Sequence, residues 1–190
     1  MQSGFAWARR HAFFLYLLLF VAVWSVVLLL IPSEAIVTYI GVENTYFAAF
    51  LLAAFTGIST FTSSSFYLSI ATFAAGGAVP LILGLAGGSG AFLSNSIFYF
   101  LVLHGKRALP DRWERRIEEL TKIIKKLPLW AVWIVVFVYS GLTPFPDDIL
   151  IGALALSSIS YLRVAPVLLA ANITIVTLIS YSASRGMLLF

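Results

Sequence analysis

From His11 to Gly105 the sequence carries two formal charges, Glu34 and Glu43, and not one lysine or arginine. A water-soluble domain of that length needs charged surface, so this stretch must find another solvent. Its first apolar run, Ala12 to Ile31, has about the 20 residues that a spanning helix requires. Composition agrees, with 61% apolar residues, 11% charged residues and a mean hydropathy of +1.00. Lipid satisfies no backbone donor or acceptor, and continuous apolar runs of this length fit helices, so the sequence predicts an all-α integral membrane protein. The run at 12–31 is too long for a leader, and Pro32, Ser33 and Glu34 follow it in place of a small-residue cleavage site, so it is read as a retained transmembrane helix. The chain has no cysteine, which excludes disulfides, thiolate metal sites and cysteine nucleophiles.

The cations cluster, and their placement predicts the topology. Eight of the twelve Lys and Arg residues lie between Lys106 and Lys126, and Arg9 and Arg10 precede the first run. The positive-inside bias then puts the N-terminus and residues 104–128 in the cytoplasm, which requires an even number of crossings between them. Spans at 12–31 and 80–103 supply that number. Residues 46–79 lie between those spans and must return to the side they left. Their centre holds seven Ser or Thr residues between Thr56 and Ser65, poor material for a lipid-facing helix. A re-entrant hairpin satisfies both constraints, with its polar tip at Thr60, Thr62, Ser63 and Ser64 buried in protein or lining a wet cavity.

The pattern recurs in the second half. Half a span from Leu129 is interrupted by GLTPFPDD, Gly141 to Asp148, and a second short apolar arm completes a hairpin over 129–158. A spanning helix at 162–184 follows it. Laid over the first tip at an offset of 84 residues, Gly57 meets Gly141 and Ser59 meets Thr143. Two interrupted segments at matching positions point to a transporter site built from repeats. The expected fold is therefore two inverted repeats, each a re-entrant helical hairpin plus a spanning helix, with an N-terminal transmembrane helix and a cytoplasmic amphipathic helix.

Within GLTPFPDD, Pro144 and Pro146 push Thr143 and Phe145 into extended conformations, and a helix can restart at Pro146. Asp147 and Asp148 then occupy its first turn. Two readings follow. The acids cap the half-helix, favoured by roughly 0.3 to 1 kcal/mol each by the helix dipole. Alternatively they mark an ion, proton or substrate path, since an acid near the bilayer centre costs at least about 2.5 kcal/mol and serine would cap as well.

The stretch GLTPFPDDILIGALALSSISYLRVAPVLLAANI resembles the core of the DedA superfamily, also called the VTT or SNARE-associated membrane domain. That family has a proline-rich, acid-bearing hairpin tip, then a Tyr/Arg turn and an Asn-bearing last helix. Here the matching residues are Pro144, Pro146, Asp147 and Asp148, then Tyr161, Arg163 and Asn172. PLILGLAGGSGAFLSNSIFYFLVLHGKR is similar to the family's Gly-rich helix, with Ser94 or Asn95 at the position of an acid, then Tyr99, then Gly105 and Lys106. In the first hairpin Thr60, Thr62 and Ser63 stand where the family has proline and glutamate. The resemblance implies a membrane transporter that flips or scrambles a lipid phosphate, such as a polyprenyl phosphate or a phospholipid. It implies a transport or proton site at Asp147 and Asp148, with protons as the candidate coupling ion and Arg163 as the candidate for the substrate phosphate. Asn95, Asn172 and Tyr99 are polar helix contacts. Membrane lipids are the expected partners, a homodimer is a candidate working unit, and the expected location is the plasma membrane of a prokaryote. No metal or other cofactor is expected.

Other features carry plainer readings. Over residues 110–127, Trp113, Ile117, Leu120, Ile124 and Leu127 recur at helical spacing, which predicts an amphipathic helix on the cytoplasmic surface with its basic residues among anionic headgroups. This cluster is short, interleaved with acids and flanked by membrane segments, so nucleic-acid binding is not expected. Gly84, Gly87, Gly88 and Gly90 permit close helix packing. Ser89 in GGSG resembles the nucleophile of rhomboid intramembrane proteases, but a serine needs a base within reach. His104 lies fifteen residues away, about 22 Å along a helix. An enzyme is therefore not expected, and the alternative to a transporter is a non-transporting membrane scaffold or tether.

Overall fold

A computed structural model describes residues 33–56, 63–104, 111–144 and 147–186. These form eight helices and no strand: α1 (Ser33–Ile40), α2 (Val42–Thr56), α3 (Ser63–Ala75), α4 (Pro80–His104), α5 (Asp111–Ile124), α6 (Leu129–Leu142), α7 (Asp148–Leu156) and α8 (Tyr161–Ser184). Two are long and apolar enough to cross a membrane, Pro80–Leu103 and Tyr161–Ser184. The expected helix at 12–31 lies outside the described residues, as do Thr60, Thr62 and Pro146 and the side chains of Ser63 and Ser64.

Proline and glycine set most of the boundaries. Pro80 opens α4, where its missing N–H would have had no helical partner. Thr143 ends α6 at φ −121° and ψ 134°, the extended conformation that Pro144 forces on its predecessor. Gly41, at φ +85°, separates α1 from α2 at an angle that a side chain would resist. The sequence reading did not anticipate α1, and the helix α2 starts at Val42, four residues ahead of Tyr46.

The long helices α4 and α8 form the spine. They run antiparallel: Gly84 faces Thr177, Gly88 faces Ile173, and Ser96 bonds to Tyr161. A Cβ on Gly88 would lie 2.5 Å from the Cα and 2.7 Å from the nitrogen of Ile173, so glycine is what brings the two backbones together. Where lipid tails are as apolar as the side chains, such close van der Waals packing carries helix association.

The shorter helices are distributed over this spine in a regular way. The first arms stay with the long helix that follows them, α2 on α4 and α6 on α8. The second arms cross over, α3 onto α8 and α7 onto α4. In addition α1 packs on α3 as α5 packs on α7. The open end of each pair of arms is closed by one bond. Val79 N–H donates to the Tyr46 hydroxyl at 3.0 Å, and the Trp133 indole N–H donates to the Arg163 carbonyl at 2.8 Å. Two apolar cores result, one around Phe66, Ile70 and Val176 and one around Val136, Ile151 and Leu168.

Helix α5 is amphipathic as its spacing predicts, but its apolar face meets protein. Ile117 is fully buried against Gly152, Ile124 is buried, and the Thr121 hydroxyl lies 2.7 Å from the Ile117 carbonyl and 3.3 Å from that of Ala153 on α7. Its outer face, with Glu118, Glu119, Lys122, Lys125 and Lys126 in or just after it, is exposed.

Candidate functional site

The apolar helix α6 carries one buried hydroxyl near its end, Ser140, and stops at Leu142 because of Pro144. The chain turns and restarts at Asp148, two residues later than expected, with Asp147 at the N-cap position. The Asp147 carbonyl accepts the first bond of α7, from Ile151 N–H at 2.8 Å. Its carboxylate makes no capping bond. Instead Asp147 Oδ2 accepts a hydrogen bond of 3.0 Å from the Asn95 side-chain amide on α4. The same Asn95 nitrogen lies 3.4 Å from Asn172 Oδ1 on α8, and Asn172 Nδ2 donates to the Leu168 carbonyl at 2.8 Å.

Three residues proposed separately from sequence are thus joined in one chain of bonds. Asn95 and Asn172 are buried, Asp148 beside them is 8% exposed, and Asp147 is half-buried. The Ser140 hydroxyl is buried next to Asp147 without a hydrogen bond of normal geometry. Tyr67 on α3 and Tyr139 on α6 lie within electrostatic reach of the Asp147 carboxylate, and Tyr139 within reach of Asp148 also. Side chains of α4 and α8 and the Ser140 hydroxyl of α6 therefore meet at the start of α7.

Depth along the helices matters as much as proximity. Asn172 is the twelfth residue of the 24-residue α8, so the bonded chain from Asp147 through Asn95 meets α8 at its midpoint. Nine residues separate Asn172 from Arg163 and thirteen separate it from Arg185, rises of about 13 and 20 Å. The Arg185 guanidinium sits over the Tyr181 ring at 4.4 Å, and exposed Trp130 and Trp133 lie at the level of Arg163. Aromatic and basic residues thus mark the two ends of α8 about 27 to 33 Å apart, the thickness of a hydrocarbon core.

The other proposed residues stand elsewhere. Arg163 is exposed in the first turn of α8, away from the carboxylates, and Pro144 is exposed at the tip. Tyr99 is buried and donates to the Ile159 carbonyl at 3.1 Å, while its ring packs on Tyr161 at 5.0 Å. It fixes the turn between α7 and α8. Tyr161 bonds to Ser96, whose hydroxyl also lies 2.5 Å from the Phe92 carbonyl. The residues flanking Ser89 are used in packing, Gly88 against α8 and Gly90 against the backbone of Phe50 on α2. Ser140, Tyr67 and Tyr139 were missed by the sequence reading. Ser140 was legible as a small hydroxyl just ahead of the break, whereas nothing local to Tyr67 pointed to a carboxylate 80 residues away.

Chemically, the site offers a pair of neighbouring carboxyl groups, one anchored by an amide donor, with a buried hydroxyl beside them. Such a group can take up and release a proton or hold a small cation without unfolding its surroundings, because the amide and hydroxyl partners remain in place. Comparison with family models, curated proteins and solved structures finds no match to this chain.

Proposed function

We propose that this protein is a membrane transporter of the DedA type that translocates a lipid phosphate, a polyprenyl phosphate or a phospholipid, with protonation of Asp147 and Asp148 coupled to the movement. The observation that carries this reading is the bond from Asp147 through Asn95 to Asn172. It ties a broken hairpin, bearing two acids, to the midpoint of membrane-length helices. Acids at that depth mark transport paths, because capping alone does not offset their desolvation. Asp147, moreover, does not cap.

The helix arrangement supports two inverted repeats, α1–α4 and α5–α8. Each ends in a spanning helix, and those helices run in opposite directions, which an inverted pair of repeats requires. The packing of arms and the closing bonds recur in both halves, and Val79 and Arg163 in those bonds are separated by the 84-residue offset read from sequence. Helices α6 and α7 both have their outer ends on the side of α5, so their hairpin is re-entrant from that side. The basic residues of α5 support a cytoplasmic orientation for that side, and the plasma membrane of a prokaryote is the location that goes with the DedA-type reading. Alternating access then amounts to rocking one repeat against the other about the α4–α8 contact.

The test is translocation of fluorescent polyprenyl-phosphate and phospholipid analogues in reconstituted vesicles at two pH values. Wild type should translocate, with a rate that depends on pH. Asp147→Asn should lower the rate at least about tenfold and remove its pH dependence, while the protein still inserts and folds. Equal translocation by the two proteins would refute the transport role of the acid, and no translocation by either would favour a non-transporting scaffold.

A further inference from the structure

A groove of about 510 Å³ runs between α6 and α8 on the outer face, away from the Asp147 cluster. It is lined by Trp130, Trp133, Phe137, Pro166, Val167 and Ala170, apolar side chains throughout. Its volume lies in the range of about 300 to 1,000 Å³ typical of sites for small ligands. We infer that this groove holds the tail of one anionic lipid, whose headgroup sits at the cationic mouth formed by Arg163, Lys125 and Lys126.

The argument for that occupant is the charge at one end of an apolar channel. Pro166, Val167 and Ala170 lie three, four and seven residues after Arg163 and so share its face of α8, which puts Arg163 directly outside the groove. Lys125 and Lys126 are exposed in the turn that leads into α6, four to five residues before Trp130. The bonded pair Trp133 and Arg163, and the facing of Gly141 with Ala171 further on, show that α6 and α8 are parallel here. Both N-termini therefore open at the mouth, and neither has a side-chain cap. Free N–H groups and dipoles from two helices add to three cations. The acids of α5, Glu118 and Glu119, lie about two turns back from Lys126. At the far end the groove closes where a Cβ on Gly141 would meet the Cα of Ala171 at 3.1 Å. A tail entering from the α5 side thus reaches to the middle of α8 and stops there. Pro166 cannot donate to the carbonyl one turn before it, which roughens this face of α8 next to the fixed Trp133 indole.

The inference rests on the chain spanning a membrane but not on its translocating anything. Its test uses the full chain in nanodiscs with two photoreactive probes, a phosphatidic acid and a phosphatidylcholine bearing the same diazirine tail. Labelled residues are then mapped by mass spectrometry. The anionic probe should label residues 129–142 and 161–171 about five-fold more than the zwitterionic one, as one basic residue at a membrane surface provides. Arg163→Gln should lower that ratio, Arg163→Gln combined with Lys125→Gln and Lys126→Gln should bring the two probes close to parity, and Arg163→Lys should leave the ratio as in wild type. Ala170→Trp should fill the groove and cut labelling there by both. Equal labelling of wild type by the two probes means ordinary surrounding lipid and overturns the inference, as does labelling indifferent to Ala170→Trp. Crosslinks joining two copies of α6 would overturn it in favour of a dimer contact. Absence of labelling by either probe anywhere on the chain would instead sink the membrane-spanning reading, and a transport defect with labelling intact would touch only the translocation proposal.

Discussion

Removing the Asn95 amide should destabilise the protein by an amount that depends on Asp147. In Asn95→Ala the half-buried carboxylate loses a donor at 3.0 Å, and an unsatisfied buried polar group costs about 1 to 3 kcal/mol. Interhelical hydrogen bonds between neutral groups in membranes average only about 0.6 kcal/mol and reach about 1.7. Bonds to charged groups contribute about 1.5 to 3. The partly buried, charge-assisted pair here should fall between these ranges, with a coupling energy of about 1.5 kcal/mol, which is roughly tenfold in the unfolding equilibrium. The assay is a double-mutant cycle of Asn95→Ala and Asp147→Ala, read by reversible unfolding in mixed micelles or by steric trapping in bicelles. Asn172→Ala serves as the internal comparison, since its contact with Asn95 is longer, 3.4 Å, and neutral, so its coupling should be about 0.6 kcal/mol. Coupling between Asn95 and Asp147 below about 0.3 to 0.5 kcal/mol, the limit within which distant sites are additive, would mean that the bond does not hold the hairpin to the spine.

Two tightly packed glycines, Gly88 and Gly152, should respond differently to alanine. At Gly88 the obstacle is the backbone of Ile173, so α4 and α8 must separate, and Gly88→Ala should cost at least the 1 to 3 kcal/mol of a typical overpacking change, about that or more. At Gly152 the nearest atom is Ile117 Cδ1 at 2.8 Å, the end of a flexible side chain, so Gly152→Ala should cost about 1 kcal/mol or less; equal costs in unfolding titrations would contradict the assignment of α4–α8 as the rigid contact. Thr121→Val should weaken the docking of α5 on α7 by about 0.5 to 1.5 kcal/mol, visible as faster hydrogen exchange in Asp111–Ile124 with little change in α8. Trp133→Phe should loosen the start of α8 similarly, and exchange confined to the first two turns of that helix would report it.

Sequence alone determined the helices and much of their ending. Apolar runs of membrane length gave α4 and α8 to within a residue or two, Pro144 ended α6 as steric exclusion requires, and the spacing of Ile117, Leu120 and Ile124 gave an amphipathic α5. These are local effects, set by neighbours a few residues away. Helix α1 escaped because it is only eight residues long and is cut off by Gly41, too short for a periodic pattern to stand out. Periodicity also left open what covers an apolar face, since lipid and protein demand the same spacing; only packing showed that α7 takes the face of α5. The same limit applies to the site. Two acids in a proline-rich break could be caps or a path, and sequence carried both readings. Tertiary structure showed only that Asp147 makes no side-chain cap: it brings Asn95 and Asn172, separated from each other by 77 residues, together at the break, where the carboxylate accepts from an amide in place of its own helix. Such a meeting depends on how closely α4 and α8 approach, which Gly84 and Gly88 permit but which no stretch of sequence near Asp147 encodes.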